Sequence, residues 1–354
     1  MISMGLRMMF NPRGPFRIKP SLSADLLRWA WLFSRSATTS HVEAASPVLR
    51  DLSLVSRKLF VELAAEADFG LVQRGLLAVC RTPEGLSKES ALAARARELG
   101  LQAEVLDAEG LRKADPGISY EAPGAVLFPQ DCHLDPLRFM SALADRIRDA
   151  GGELRYNHEV PRLITQAGTV QAAETSHGKV EGDVFVIAGG AWSPQIASSV
   201  GVSLPMQAGK GYSFTIDRPA QLPELTSLLI EGRLAVTPIG GKLRLSGTME
   251  VAGLDLTVNP NRVQGIVDAF CTFCPKFKAT DFDNQPVWKG LRPVSPDGMP
   301  YLGPFKKLPN LIGATGHAMM GVSLAPVTGS IIADMVTGRT PGLAIPMCSP
   351  DRFA

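Results

Sequence analysis

Fold class is legible from Asn310-Leu311-Ile312-Gly313-Ala314-Thr315-Gly316-His317-Ala318-Met319-Met320-Gly321-Val322-Ser323-Leu324. A short apolar strand over 310–314 runs into a glycine loop and then a helix expected over 321–337, with Leu324, Val327, Ile331 and Met335 along one stripe. Such a unit suits a nucleotide. The first turn of a helix presents free N–H groups at its positive dipole end, and glycines let a phosphate or a flat ring approach the backbone. The spacing of Gly313, Gly316 and Gly321 is not G-x-G-x-x-G, so these residues alone leave simple helix–sheet packing as an equal reading.

Upstream, Asp135 and Pro136 mark the N-cap and first turn of a helix. Its Leu137, Met140, Ala144 and Ile147 form one apolar stripe, and Gly151-Gly152 closes it. A strand over 153–163 and a ribbon around 170–173 lead to an uninterrupted apolar strand at 184–188, followed by Gly189-Gly190, as in a buried parallel sheet. Between 204 and 287 the pattern alternates instead. Strands are expected at 212–216, 234–237, 243–247 and 249–251, with Gly240-Gly241 as a hairpin turn and a helix over 261–273. The N-terminal part reads as helices over 21–36 and, behind Pro47, over 47–69, then a strand at 76–80, a helix over 88–99 and a helix capped by Asp107.

The chain has 354 residues, 45% hydrophobic and 20% charged, which excludes a disordered chain and gives room for about two domains. Lys and Arg number 36 against 34 Asp and Glu, interspersed, so no nucleic acid partner is expected. Five scattered cysteines suit a reducing compartment, read as the cytoplasm. The apolar start over 1–10 is broken by Asn11-Pro12-Arg13-Gly14, and no apolar run reaches the roughly 18 residues of a membrane span. The segment 26–33, with Trp29 and Trp31, is open to two readings: a helix packed on its own domain, or one resting on a membrane surface. No metal is expected. His133 beside Asp131 and Cys132 has no second ligand cluster, and the Cys271/Cys274 pair has no partner pair.

The run Gly290-Leu291-Arg292-Pro293-Val294-Ser295-Pro296-Asp297-Gly298-Met299-Pro300-Tyr301-Leu302-Gly303, taken with 311–329, closely resembles the C-terminal signature of the FAD-dependent D-amino acid oxidase and dehydrogenase family, most of all its bacterial D-amino acid dehydrogenase branch. Residues 128–136, 186–192 and 210–212 resemble further segments of that family. The resemblance implies an α/β chain, α+β overall. Its FAD-binding domain would span 128–203 and 288–345, with an inserted antiparallel-sheet substrate domain over 15–127 and 204–287. The family begins with a strand, G-x-G-x-x-G and helix of about 30 residues. This sequence carries no such unit, so the doubly wound domain is expected to be incomplete and the chain N-terminally shortened.

The resemblance also assigns roles. Arg292 matches the carboxylate-binding arginine, whose planar fork suits an α-carboxylate. Tyr212 is a second carboxylate contact or a residue packed in the sheet. Gly316, His317, Gly321 and Val322 match the loop against the flavin ring and pyrophosphate, with a purely structural His317 as the other reading. Val160 matches the residue at the adenine, and Gly189, Gly190 and Trp192 the loop at the cofactor's middle, where Gly189-Gly190 also reads as a plain turn. No cysteine lies between Cys274 and Arg292, which implies noncovalent FAD. The implied activity is oxidation of a D-amino acid, open-chain or cyclic such as a proline derivative, by hydride transfer from Cα to the flavin. Electrons would pass to a quinone or respiratory acceptor, with peripheral contact at the inner membrane. The alternatives are a glycine or D-amino acid oxidase using O₂, a truncated inactive chain, or a subunit completed by a partner.

Overall fold

The structure is a computed structural model that describes residues 13–18 and 23–354. The apolar start over 1–10 and the first two residues of the helix expected over 21–36 lie outside the described residues. Strand β1 (Phe16–Ile18) precedes helices α1 (Ala24–Ser36) and α2 (Thr39–Ala64). Helix α2 begins eight residues before Pro47, where it was expected to start. The Thr38 side chain caps the His41 N–H at 3.2 Å, and the 26-residue helix continues through Pro47, which lacks an N–H and crowds the carbonyl one turn back. Ala45, Leu52, Ser56 and Phe60, buried at helical spacing, hold it to the body of the protein.

Next come β2 (Leu76–Cys80), α3 (Pro83–Glu98), β3 (Glu104–Asp107), α4 (Ala108–Ala114), β4 (Gly124–Phe128) and α5 (Pro136–Asp149). Asp107 and Asp135 cap α4 and α5 as expected, Asp107 accepting from the Gly110 N–H at 2.7 Å and Asp135 from the Leu137 N–H at 2.9 Å. The apolar stripe of α5 does not face inward. Leu137 is 75% exposed and Met140 63%, while Phe139 is buried against Phe60 and Phe69. A period shows which residues share a face, not which face is covered.

Strands β5 (Arg162–Gln166), β6 (Thr169–Thr175) and β7 (Gly178–Glu181) form a meander, so only the end of the strand expected over 153–163 is extended in a sheet. Strand β8 (Phe185–Ile187) and helix α6 (Ser193–Ser198) follow. The antiparallel region consists of β9 (Gln207–Ile216), β10 (Thr226–Leu229), β11 (Leu234–Ile239) and β12 (Lys242–Val251), then helix α7 (Pro260–Phe273). Gly240 and Gly241, both at positive φ, make the hairpin turn between β11 and β12. The two strands expected over 243–251 are one, bulged between Gly247 and Glu250. The chain ends with β13 (Trp288–Val294), β14 (Tyr301–Phe305), β15 (Leu308–Thr315) and α8 (Ala325–Val336).

The large sheet runs β13-β9-β12-β11-β10-β2-β4-β3, with β1 beside β12. One face carries Tyr212, Phe214, Leu243 and Leu245 under Ile266, Phe270 and Phe273 of α7, each fully buried apolar side chain stabilising by roughly 1.5–3 kcal/mol. A second sheet, β14-β15-β8, joins β8 parallel to β15. Among the described residues β8 is its edge, with Val184 39% and Val186 42% exposed, so the strand is not buried on both faces as its composition suggested. Helix α8 packs Val327 and Ile331, with Leu324 just before it, against Leu52 and Leu302, as the stripe predicts. It starts four residues later than expected, at Ala325, because residues 321–324 form a turn before Pro326 in the first helical turn. No helix among the described residues is long and apolar enough to cross a membrane.

Candidate active site

Strand β13 brings Arg292 beside β9. Arg292 pairs with Gly209, and its guanidinium lies flat over Gly211, where the Cβ of any other residue would overlap it. One Nη donates to the Thr248 carbonyl at 2.9 Å, which the bulge in β12 turns toward it. Thr248 sits at φ +66°, and its own buried hydroxyl has no partner. No acidic side chain of the described residues lies within ion-pair distance of Arg292. Burial holds its pKa below the usual arginine value, and most of its five donors are unused. A half-buried, uncompensated guanidinium of this kind is a ready receptor for a carboxylate.

The glycine loop is fastened to the same strand. His317 bridges Val294, the Ala318 N–H donates to the Pro293 carbonyl at 2.9 Å, and the indole of Trp29 donates to the Val294 carbonyl at 2.9 Å. Gly316 lies at φ +78°, and a Cβ there would stand 2.6 Å from the Tyr301 ring. Downstream, Asp297 receives two hydrogen bonds from Arg352, at 2.7 and 2.9 Å, which ties this turn to the C-terminal segment. The Asp297 of the motif therefore holds the fold rather than a ligand.

Beside the loop lies a cavity of about 400 Å³ lined by Val186, Ala188, Ala314, His317, Gly321 and Ala325, among others. The His317 ring bonds to Thr328 Oγ1 at 3.0 Å, and burial pushes its pKa down to about 4, so it is neutral near pH 7 and contributes a dipole, not a charge. The N–H groups of Gly321, Val322 and Ser323 meet no acceptor among the described residues, since the helix proper starts only at Ala325. Gly190 joins the edge of this region: its carbonyl accepts from Thr315 Oγ1 at 3.2 Å, and Ser193 donates to the same hydroxyl at 3.0 Å. Trp192, on the same turn, is 45% exposed. Gly189 packs against Ile196, as a plain turn would. Val160 packs against the cluster containing Leu163 and Ile187 and does not line the cavity.

The structure does not bring Tyr212 to Arg292. Successive strand residues point to opposite faces, so with the guanidinium over Gly211, Tyr212 points into the core. Its hydroxyl bonds to Glu250 at 3.2 Å and accepts from the Asn259 N–H at 3.2 Å. The face shared with Arg292 instead carries Ser213, Trp288 and Arg244, none of which the sequence singled out. Trp288 is paired with Ser213 and folds over Gly290, and Arg244 donates to Ser213 Oγ at 2.9 Å. Their convergence depends on the register of three strands distant in sequence.

The residues present fit the ring end of FAD, the cofactor implied by the signature. They offer small apolar walls, exposed N–H donors suited to the ring's oxygen and nitrogen acceptors, and an unpaired cation on the adjoining strand. Among the described residues no group of three or more His, Cys, Asp and Glu is placed to hold a metal ion.

The chain is similar to the D-amino acid dehydrogenase of Bradyrhizobium diazoefficiens, 29% identical over 96% of this chain and 82% of that protein. It is similar to that of Vibrio vulnificus, 28% identical over 94% and 81%. Among solved structures it resembles glycine oxidase from Geobacillus kaustophilus, with a TM-score of 0.79 and 26% identity over 87% of this chain and 84% of that one. L-proline dehydrogenase from P. horikoshii shares the fold, at a TM-score of 0.76 and 19% identity over 85% and 82%. The model of the FAD dependent oxidoreductase family (DAO) matches residues 25–335, and the chain belongs to that family.

Proposed function

We propose that this chain oxidises D-amino acids at Cα, with Arg292 holding the α-carboxylate by a two-pronged hydrogen bond. The observation that carries this reading is the half-buried guanidinium over Gly211, without an acidic partner among the described residues, on the strand to which the glycine loop is fastened. FAD, when bound, supplies the acceptor for the hydride that leaves Cα. The chain's own work is positional: Arg292 fixes the carboxylate, and the 316–322 loop and the Gly190–Trp192 turn shape the space beside it. The neutral amine's lone pair completes the C=N bond as the Cα–H electrons leave, so no strong base is required of the protein. The resulting open-chain imine hydrolyses to an oxo acid and ammonia. D-Alanine and D-proline, the latter standing for cyclic substrates, should each bleach the oxidised-flavin absorbance of the FAD-loaded chain under anaerobic conditions. Loss of bleaching in Arg292→Ala supports the assignment, and bleaching unchanged in that variant removes it.

The dehydrogenase names of the curated relatives support a quinone or respiratory electron acceptor, and the likeness to a glycine oxidase supports O₂. Quinone reduction measured against oxygen uptake separates them. The cavity lining contains no cysteine, which supports noncovalent FAD. Exposed Leu27 and Trp31 on α1, opposite the anchored Trp29, support contact with a membrane surface. A second reading, a subunit completed by a partner, is supported by the open edge of β8 and the exposed stripe of α5. Under that reading the purified chain retains no flavin by itself.

A further inference from the structure

On the face that carries Arg292, a second arginine lies in the same electrostatic condition. Arg244 is half-buried, burial lowers its pKa, and its one hydrogen bond to a side chain goes to neutral Ser213 Oγ at 2.9 Å. No carboxylate of the described residues comes within ion-pair distance. Asp135, whose charge reaches it, is occupied capping α5 through the Leu137 and Arg138 N–H groups. By contrast, several arginines elsewhere reach across the fold to an acid: Arg13 to Asp268, Arg74 to Glu224, Arg352 to Asp297.

Placement makes the second cation relevant. Gly211, under the Arg292 guanidinium, and Ser213, bonded to Arg244, are successive positions on one face of β9, about 7 Å apart along the strand. The Trp288 ring, 61% exposed, lies over Gly290 on this face with the Arg244 guanidinium 5.6 Å from its centre. Two fork-shaped donors therefore share one patch of this face, the Arg292 guanidinium over Gly211 and the Arg244 guanidinium beside the indole that covers Gly290. One carboxylate satisfies one fork. The second fork is left desolvated and unmet by a substrate whose side chain is neutral.

We propose that Arg244 is a second anion receptor in this site and that, among D-amino acids, the chain prefers those with a negatively charged side chain. This rests on the assignment of the α-carboxylate to Arg292.

The test compares kcat/KM of the FAD-loaded chain for D-glutamate over D-glutamine and for D-aspartate over D-asparagine, in the parent and in Arg244→Gln. The acid should be favoured about tenfold or more in at least one pair, and that ratio should fall to about one in the variant, with Arg244→Lys in between. Ratios of one or below in both pairs, or a ratio that Arg244→Gln leaves in place, overturn the proposal. A turnover-independent arm titrates glutarate against the fluorescence that Trp288→Phe removes from the parent chain. Its apparent Kd should rise about tenfold in Arg244→Gln and in Arg292→Gln. Glutarate that fails to bind, or binds equally to the parent and Arg244→Gln, overturns the proposal as well. Should no D-amino acid be oxidised, D-alanine included, while glutarate binding depends on both arginines, the activity assigned above fails and the second receptor stands.

Discussion

The two faces of the large sheet treat buried charge in opposite ways. On the core face, Lys210 is 1% exposed and Glu250 6%, yet they are provided for: Lys210 Nζ donates to the Thr257 carbonyl at 2.7 Å, with Asp255 at 3.5 Å and Glu250 at 3.8 Å, and Tyr212 donates to Glu250. On the opposite face Arg292 and Arg244 are half-buried with only neutral oxygens for partners. A desolvated charge answered within the chain holds the fold together. One left unanswered weakens the fold and is ready for a ligand.

Substitutions on the two faces should therefore fail in different ways. Arg292→Ala should lower kcat/KM for D-amino acids by about 10³-fold while leaving the melting temperature unchanged or raised, because the desolvated cation it removes has no acidic partner. A large drop in thermal stability with intact kinetics would reverse the roles of the two faces. Lys210→Met should do the converse, costing roughly 3–5 kcal/mol of stability by removing the ion-pair partner of buried Glu250, visible as a lowered melting temperature. Gly211→Ala should raise KM by about 10- to 100-fold, since the added methyl group displaces the Arg292 guanidinium; an unaltered KM would place that guanidinium elsewhere.

Smaller effects sharpen the same contrast. His317 is buried neutral, with a pKa near 4 against an ordinary value near 6.5 in the unfolded chain. Its depressed pKa contributes stability that is present above pH 6.5 and is lost as pH falls toward 4, where only the unfolded state gains the proton. His317→Gln should make the acid limb of a melting-temperature profile shallower between those values. A profile parallel to the parent's would show that the ring is not buried neutral. Tyr212→Phe, the smallest, should cost about 1 kcal/mol and leave KM within about twofold. A tenfold rise in KM would bring its hydroxyl to the substrate after all.

Local chemistry was readable in the sequence wherever the cause is local. Asp107 and Asp135 cap helices, Gly240-Gly241 turns a hairpin, and the stripe of α8 packs inward. Where the cause is distant, the sequence was silent or misleading. The stripe of α5 has the right period and faces out, because what covers a helix is set by other segments. The apolar run at 184–188 suggested a strand covered on both faces, but β8 lies at an edge. The site divides in the same way. Arg292 stands in a contiguous motif that singles it out in the sequence, whereas Arg244, Ser213 and Trp288 meet only through the pairing of β12, β9 and β13. Tyr212 and Gly211 are neighbours in sequence and point to opposite faces, a parity that becomes informative only once the guanidinium is placed.

A crystal structure of the FAD-loaded chain with 2-aminoisobutyrate, an amino acid with no Cα–H to lose, is the most direct test of the Arg292 assignment. The carboxylate should lie in the fork of Arg292 above Gly211, on the side of the sheet opposite Tyr212. A carboxylate bound elsewhere, with the Arg292 guanidinium still bonded only to the Thr248 carbonyl, would contradict the assignment.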